Sequence, residues 1–305
     1  MEVGVGLWSM QQHHPVWRSL DAQYAELRRE ARLCEALGLD SLWISEHHGW
    51  YDGYCPAALL AAASALGETT QLRVGIGVMV APLYDPVRLA ADAAQLHALS
   101  GGRLSLGVAA GYREAEFDLF GVDFATRGRA VAERLAAMKL AWGSAEAPEV
   151  WVGAGVPAAV RRAARLDAGV LLPPAFSARR VRELAQLYRD AGGRRVGLVR
   201  DVWLDETDAR ARRVSEPWLT YCHAQYAGMA GIRGEQVRGA TDRALASALC
   251  GTSATVLEQL SWVIELDLDL LVFRVRYGAQ DPVDVERCLR LLAEEVRPAL
   301  AGVPA

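Results

Sequence analysis

The chain has 305 residues, 52% hydrophobic and 23% charged, with a net charge of −4. That length permits one large barrel or two modest domains, and that charge gives no reason to expect nucleic acid or an anionic membrane as partner. The five cysteines, Cys34, Cys55, Cys222, Cys250 and Cys288, are far apart and form no C-x-x-C pair, which argues against a disulfide framework and a structural zinc site.

The predicted elements alternate strand and helix almost throughout. Strands are expected over 2–8, 41–45, 72–81, 103–110, 149–153, 169–173, 195–204 and 269–277. Between the first two, residues 19–38 carry helical spacing at Leu20, Tyr24, Leu27, Ala31, Cys34 and Leu37, closed by Gly38. The Ala-rich run after Pro56, the run 86–102 ending in Gly101–Gly102, and stretches near 127–142, 158–168, 178–191 and 281–296 read as the other helices. Eight strands, each apolar nearly end to end and separated by helices, imply parallel strands covered by helices. The α/β fold expected is a (β/α)8 TIM barrel, one domain over 1–305. No segment approaches the roughly 20 apolar residues of a membrane helix, and the N-terminus lacks the basic region of a signal peptide. A reducing cytoplasm is therefore the expected compartment.

One connection departs from the rhythm. Residues 205–251 form a long insertion between strands seven and eight, carrying Trp218, Tyr221, His223 and Tyr226 and then glycines at 228, 231, 234 and 239. Such loops serve as lids or binding elements; a helical insertion packed on the outside is the plainer reading.

Chemistry in a barrel belongs at the C-terminal strand ends. Glu46, His47 and His48 close strand two, where an imidazole can take or give a proton near neutral pH. A histidine bonded only within its loop is the alternative. A metal site is disfavoured, because successive side chains point apart. Strand one ends in "LWSMQQHH", strand four in "AAGYRE" and strand eight in "FRVRYG", where Val272, Arg274 and Arg276 share one face by the period of two. Buried arginines there need a paired acid or a bound anion.

The segment "VWVGAGVPAAVRRAARL" matches G-x-G-x-x-A at Gly153, Gly155 and Ala158 between strand and helix. The next strand, "GVLLPP", lacks the acid that holds a ribose hydroxyl in a dinucleotide fold. What remains is a turn whose N–H groups and helix dipole suit a phosphate monoester, or glycines placed for close helix–strand packing.

Several long segments in the right order resemble the bacterial luciferase-like family of flavin-dependent oxidoreductases: "LGLDSLWISEHH", the run from Thr69 to Arg129, "VWVGAGVPAAVRRAARL", and the ending "GTSATVLEQL…DLLVFRVRYG". The resemblance implies a barrel holding reduced FMN, supplied by a separate reductase, or the deazaflavin F420 in one branch, at the C-terminal mouth. It implies that His47 sits beside the reactive edge as the catalytic residue. It places a non-proline cis peptide at Gly77–Val78 behind the ring, and the phosphate at the turn Gly153, Ala154, Gly155 and Val156. The cysteine and arginine that luciferase carries near the flavin are here Ala109 and Ala110, so backbone N–H groups would hold the phosphate, which leaves F420 open. Trp8, His48, Trp50 and Arg274 are expected to shape the substrate pocket. The activity implied is a monooxygenase using O2 and a small organic substrate. An F420H2-dependent reductase or dehydrogenase and a non-catalytic flavin-binding subunit are the alternatives. Relatives of this kind are often homodimers.

Overall fold

The computed structural model describes residues 1–12, 18–143, 146–278 and 280–301. His13 and His14, in the segment closing strand one, lie outside these residues, as do parts of the short 144–148 connection and the C-terminal end of the expected 1–305 domain. The strands are β1 (Glu2–Trp8), β2 (Ser41–Ile44), β3 (Arg73–Val80), β4 (Leu104–Ala109), β5 (Glu149–Gly153), β6 (Gly169–Leu172), β7 (Val196–Leu204), β8 (Leu249–Gly251) and β9 (Leu270–Arg274). Every pairing is parallel. β1 to β7 follow in order, β9 closes the ring between β7 and β1, and β8 pairs only with the end of β7, outside it. Eight strands in a closed ring with helices around them make the expected barrel.

Its interior is filled by Leu7, Trp43, Trp151, Leu171, Val199, Leu270 and Val272. Each large apolar side chain removed from water contributes roughly 1.5–3 kcal/mol, so the ring is a packed plug. Gly75 makes room for the largest of them, since a Cβ there would stand 2.4 Å from the Trp43 ring. Outside the ring, the helix Leu20–Ala36 is capped by Ser19, buries Leu27, Ala31 and Cys34, and is followed by Gly38 at φ +70°. Leu20, expected on the buried stripe, is exposed. Glu30 occupies a buried position instead, because Trp8 and Arg276 both bond to it.

The insertion between β7 and β9 contains the helices Asp208–Met229 and Glu235–Ser247 followed by β8. A short helix, Glu114–Phe120, follows β4 in the connection to the helix Arg127–Trp142. The last ring strand stops at Arg274, and there the expected period of two ends. Arg274 and Arg276 do not share a face: Arg274 pairs with Asp201 on β7, and Arg276 pairs with Glu26 and Glu30 on the first helix. Both carry the acids that burial demands. Among the described residues no helix is long and apolar enough to cross a membrane.

Candidate active site

The loop after β2 puts Glu46, His47 and His48 at the C-terminal mouth of the ring, all three buried. The His47 ring is fixed at both nitrogens. Its Nδ1 lies 2.7 Å from Glu116 Oε1 and its Nε2 lies 3.1 Å from the Tyr112 hydroxyl. An ionised carboxylate only accepts, so a proton on Nδ1 points at Glu116; in the neutral ring Nε2 is then the acceptor toward Tyr112. Tyr54 meets the ring edge-on at 4.7 Å and Tyr112 at 5.3 Å, with Tyr226 at 6.2 Å. Although Tyr112 as a whole is 42% exposed, its hydroxyl turns inward to the imidazole.

Glu116 comes from the short helix after β4 and also accepts the His48 backbone N–H at 2.8 Å. Burial alone would raise its carboxyl. The His47 hydrogen bond, the His48 N–H and nearby Arg113 outweigh that and hold it below the usual range. Its second oxygen, Oε2, is buried with no partner among the described residues. His48 is held separately: its Nε2 is 3.1 Å from Glu46 Oε1, and Glu46 also accepts from Val80 N and from the Tyr84 hydroxyl at 2.8 Å. The two adjacent histidines thus face different carboxylates, and among the described residues no His, Cys, Asp or Glu group is arranged to hold a metal ion.

The insertion helix Asp208–Met229 closes over this cluster. Its Tyr226 hydroxyl meets that of Tyr54 at 2.7 Å, and Tyr54 in turn meets Ser45 Oγ at 2.7 Å. Burial pushes both phenols up, Tyr226 to about 12. His223 of the same helix places Nε2 2.8 Å from Asp201 Oδ2, while Arg274 Nε bonds the other Asp201 oxygen. Asp201 only accepts, so the His223 proton is on Nε2. The 3.1 Å approach of Arg274 Nη2 to that nitrogen is then a contact between two donors. Burial would raise the Asp201 carboxyl, but the Arg274 charge and the His223 hydrogen bond hold it far below the carboxylate range. Arg274 also lies over the Tyr226 ring at 5.2 Å, which ties the two clusters together.

The remaining expected residues divide into those the structure gathers at the mouth and those it does not. Trp50 stands at the rim under Arg113, whose guanidinium is 4.9 Å from the indole centroid. The Gly77–Val78 peptide is cis, as expected from the resemblance, and a second non-proline cis peptide, Gly6–Leu7, lies in β1. Ala109 ends β4, with Ala110 directly after it. Gly153 is adjacent to both groups: a Cβ there would lie 3.3 Å from Ala109 Cβ and from Val78. Trp8 is elsewhere. Leu7 takes the interior position, so the Trp8 side chain points outward, its Nε1 donating to Glu30 at 2.8 Å under the Arg276 guanidinium. It does not join the His47 cluster.

The turn after β5 carries backbone donors that an anion could use. Ala154 N donates to Leu171 O, whereas the N–H groups of Gly155 and Val156 make no hydrogen bond among the described residues. The helix Pro157–Arg165 starts there with no side-chain cap, so its N-terminus points free N–H groups outward. The ledge of Gly77, Ala109 and Gly153 beside Val78 is close-packed: a Cβ at Gly77 would stand 3.0 Å from the Trp43 ring and one at Gly153 3.3 Å from Ala109 and Val78. The unpaired N–H groups of the turn, beside that ledge, are the donors that the phosphate of a ring-bearing cofactor would need.

Sequence reasoning did not find Glu116, Tyr54 or Asp201. Asp201 left a signal, an Arg–Asp pair inside the otherwise apolar β7. Glu116 left none, because nothing in its local pattern says that it meets a histidine 69 residues earlier.

The sequence profile of luciferase-like monooxygenases matches residues 4–266. The oxygenase component of a flavin-dependent trigonelline monooxygenase from Acinetobacter baylyi is 31% identical over 121 residues, 39% of this chain and 34% of that one. The matched part spans about a third or less of the curated relatives. Among solved structures, the monooxygenase RslO1 from Streptomyces bottropensis superposes with a TM-score of 0.83 at 25% identity, covering 98% of this chain and 99% of that one. The oxygenating constituent of 3,6-diketocamphane monooxygenase from Pseudomonas putida, solved with FMN, gives 0.79 at 20% identity over 98% of each chain, a likeness of fold.

Proposed function

The chain belongs to the luciferase-like monooxygenase family, and we propose that it is a flavin-dependent monooxygenase using reduced FMN and O2 to oxygenate a small organic substrate. The observation that carries this reading is the His47 imidazole fixed between Glu116 and Tyr112 at the mouth of the barrel.

Gly77 and Val78 would back the flavin ring, with Ala109 and Ala110 beside it, and the turn Gly153–Val156 would hold the phosphate through backbone N–H groups. Bound reduced FMN supplies the two electrons that O2 requires, and the rest is the protein's work. Glu116 keeps one proton on Nδ1 and leaves Nε2 to exchange a proton with Tyr112 or with a group that displaces it. The tyrosine cage around His47, closed by the insertion helix, excludes water from that nitrogen. His48 and Trp50 shape the rim, and Arg274, neutralised by Asp201, offers a substrate a polar edge without a net buried charge. Residues 205–251 act as the lid.

A separate reductase delivers the reduced flavin in this reading, and the compartment is the cytoplasm, in keeping with five cysteines that are all free. A homodimer is supported by the exposed Leu60, Val87 and Leu99 on the helices Ala58–Leu66 and Pro86–Leu99. The backbone-only phosphate turn favours one second reading, an F420H2-dependent reductase.

An anaerobic titration with reduced FMN and with reduced F420, followed by air, tests the proposal. Tight binding of reduced FMN and substrate-dependent O2 consumption are expected. Turnover of reduced F420 without O2 would replace it with the second reading, and binding without turnover would make the chain a supporting subunit.

A further inference from the structure

Arg200 is 2% exposed and makes no ion pair among the described residues. It lies on β7 next to Asp201, but the Asp201 carboxylate is taken by Arg274 and His223. Val199 faces the ring interior, so Arg200 points out between β7 and the segment after β6. There its Nη1 donates to two backbone carbonyls, Pro174 O at 2.6 Å and Phe176 O at 2.7 Å, while its guanidinium lies 4.8 Å from the centroid of Trp262. Its Nε is buried without a partner. A buried cation without a carboxylate is costly, and burial pulls the guanidinium down to about 10. A fold that only needed to fill this space would place an apolar side chain here.

What the arginine holds is the wall of the phosphate turn. The Phe176 ring, in the loop that Arg200 ties down, stands 3.2 Å from where a Gly155 Cβ would be, and Pro173 of the same loop stands 3.8 Å from it. The turn also hangs on β6 through Ala154 N to Leu171 O at 3.1 Å. Because Ala154, Gly155 and Ala158 offer no side-chain donor, what this turn itself gives a phosphate is backbone N–H groups. Their directions are therefore set by whatever fixes the backbone.

On the reading of the turn proposed above, we infer that Arg200 is a positioning residue for the cofactor phosphate: it clamps 173–176 against Gly155 and so orients the free N–H groups of Gly155 and Val156. It adds a poorly screened positive charge behind the turn.

The test compares reduced FMN with reduced riboflavin, which differ by the phosphate, bound anaerobically to the full chain. Arg200→Met is expected to weaken FMN by about tenfold or more, the scale of one charge-assisted contact, and to leave riboflavin within about twofold. Arg200→Lys, which keeps a cationic donor for the two carbonyls, is expected to recover part of the preference. Equal losses for both ligands, or no loss for either, would overturn the inference. Should Arg200→Met fail to fold, Phe176→Ala tests the same clamp from the other side and is expected to show the same phosphate-selective loss. If the wild-type chain binds neither ligand, it is the proposed function that fails, before Arg200 enters.

Discussion

Glu116 Oε1 and His47 Nδ1 are 2.7 Å apart, although the two residues come from different βα loops and the carboxylate sits on a seven-residue helix. The pair decides which imidazole nitrogen is free. Glu116→Gln can point its amide N–H at Nδ1 and reverse the tautomer, so turnover is expected to fall about 10–100-fold with binding of reduced FMN retained. His47→Ala is expected to lose more, about 10²–10⁴-fold, while still folding. Steady-state O2 consumption alongside a thermal melt checks both. Wild-type turnover in His47→Ala removes the imidazole from the mechanism.

Acid sensitivity should trace to Asp201. Its carboxyl is held below its unfolded value by Arg274 and His223, so between the two values the unfolded chain binds the extra proton. The stabilisation is complete above about pH 4 and is lost as pH falls through the folded value. Asp201→Asn leaves Arg274 buried without its counter-charge and is expected to cost about 3–5 kcal/mol near neutral pH. Urea melts of both proteins should converge as the pH is lowered, and a gap independent of pH would contradict the assignment.

The insertion helix is latched by polar contacts: Tyr226 to Tyr54, His223 to Asp201, and Tyr51 to Gln225 at 2.6 Å. Tyr226→Phe removes one latch, costs about 1 kcal/mol, and should speed amide exchange over 208–229 more than in the ring strands. Reduced FMN should slow exchange in that helix in the wild type. Unchanged exchange on binding would argue for a fixed cover.

Trp8 makes the opposite case. Its indole N–H serves Glu30 outside the ring, so Trp8→Phe should lower stability by about 1 kcal/mol and leave KM for the organic substrate unchanged. Trp50→Phe, at the rim, should change KM. A KM shift in Trp8→Phe alone would reverse this assignment.

The barrel was legible in the sequence because a parallel strand covered on both sides must be apolar along its whole length, and eight such runs separated by helices leave few closures. The placement of His47 and of the turn at Gly153 just past strand ends was legible as short local patterns, whereas the cis peptide at Gly77–Val78, inside β3, was expected only from the family resemblance. The partners were not legible. Glu116, Asp201 and Tyr226 act on residues 22 to 172 positions away, and a carboxylate on a short helix reads the same whether it faces water or an imidazole. Strand alternation also misled once, at Arg276. The period of two holds only while the chain stays in the ladder, and β9 leaves it at Arg274. The sequence by itself determined the ring and the places where chemistry can occur, since those follow from local periodicity. Only the tertiary structure decided which His47 nitrogen meets Glu116, which arginine pairs with Asp201, and what Arg200 holds, because each depends on groups meeting across strands in a medium that screens charge poorly.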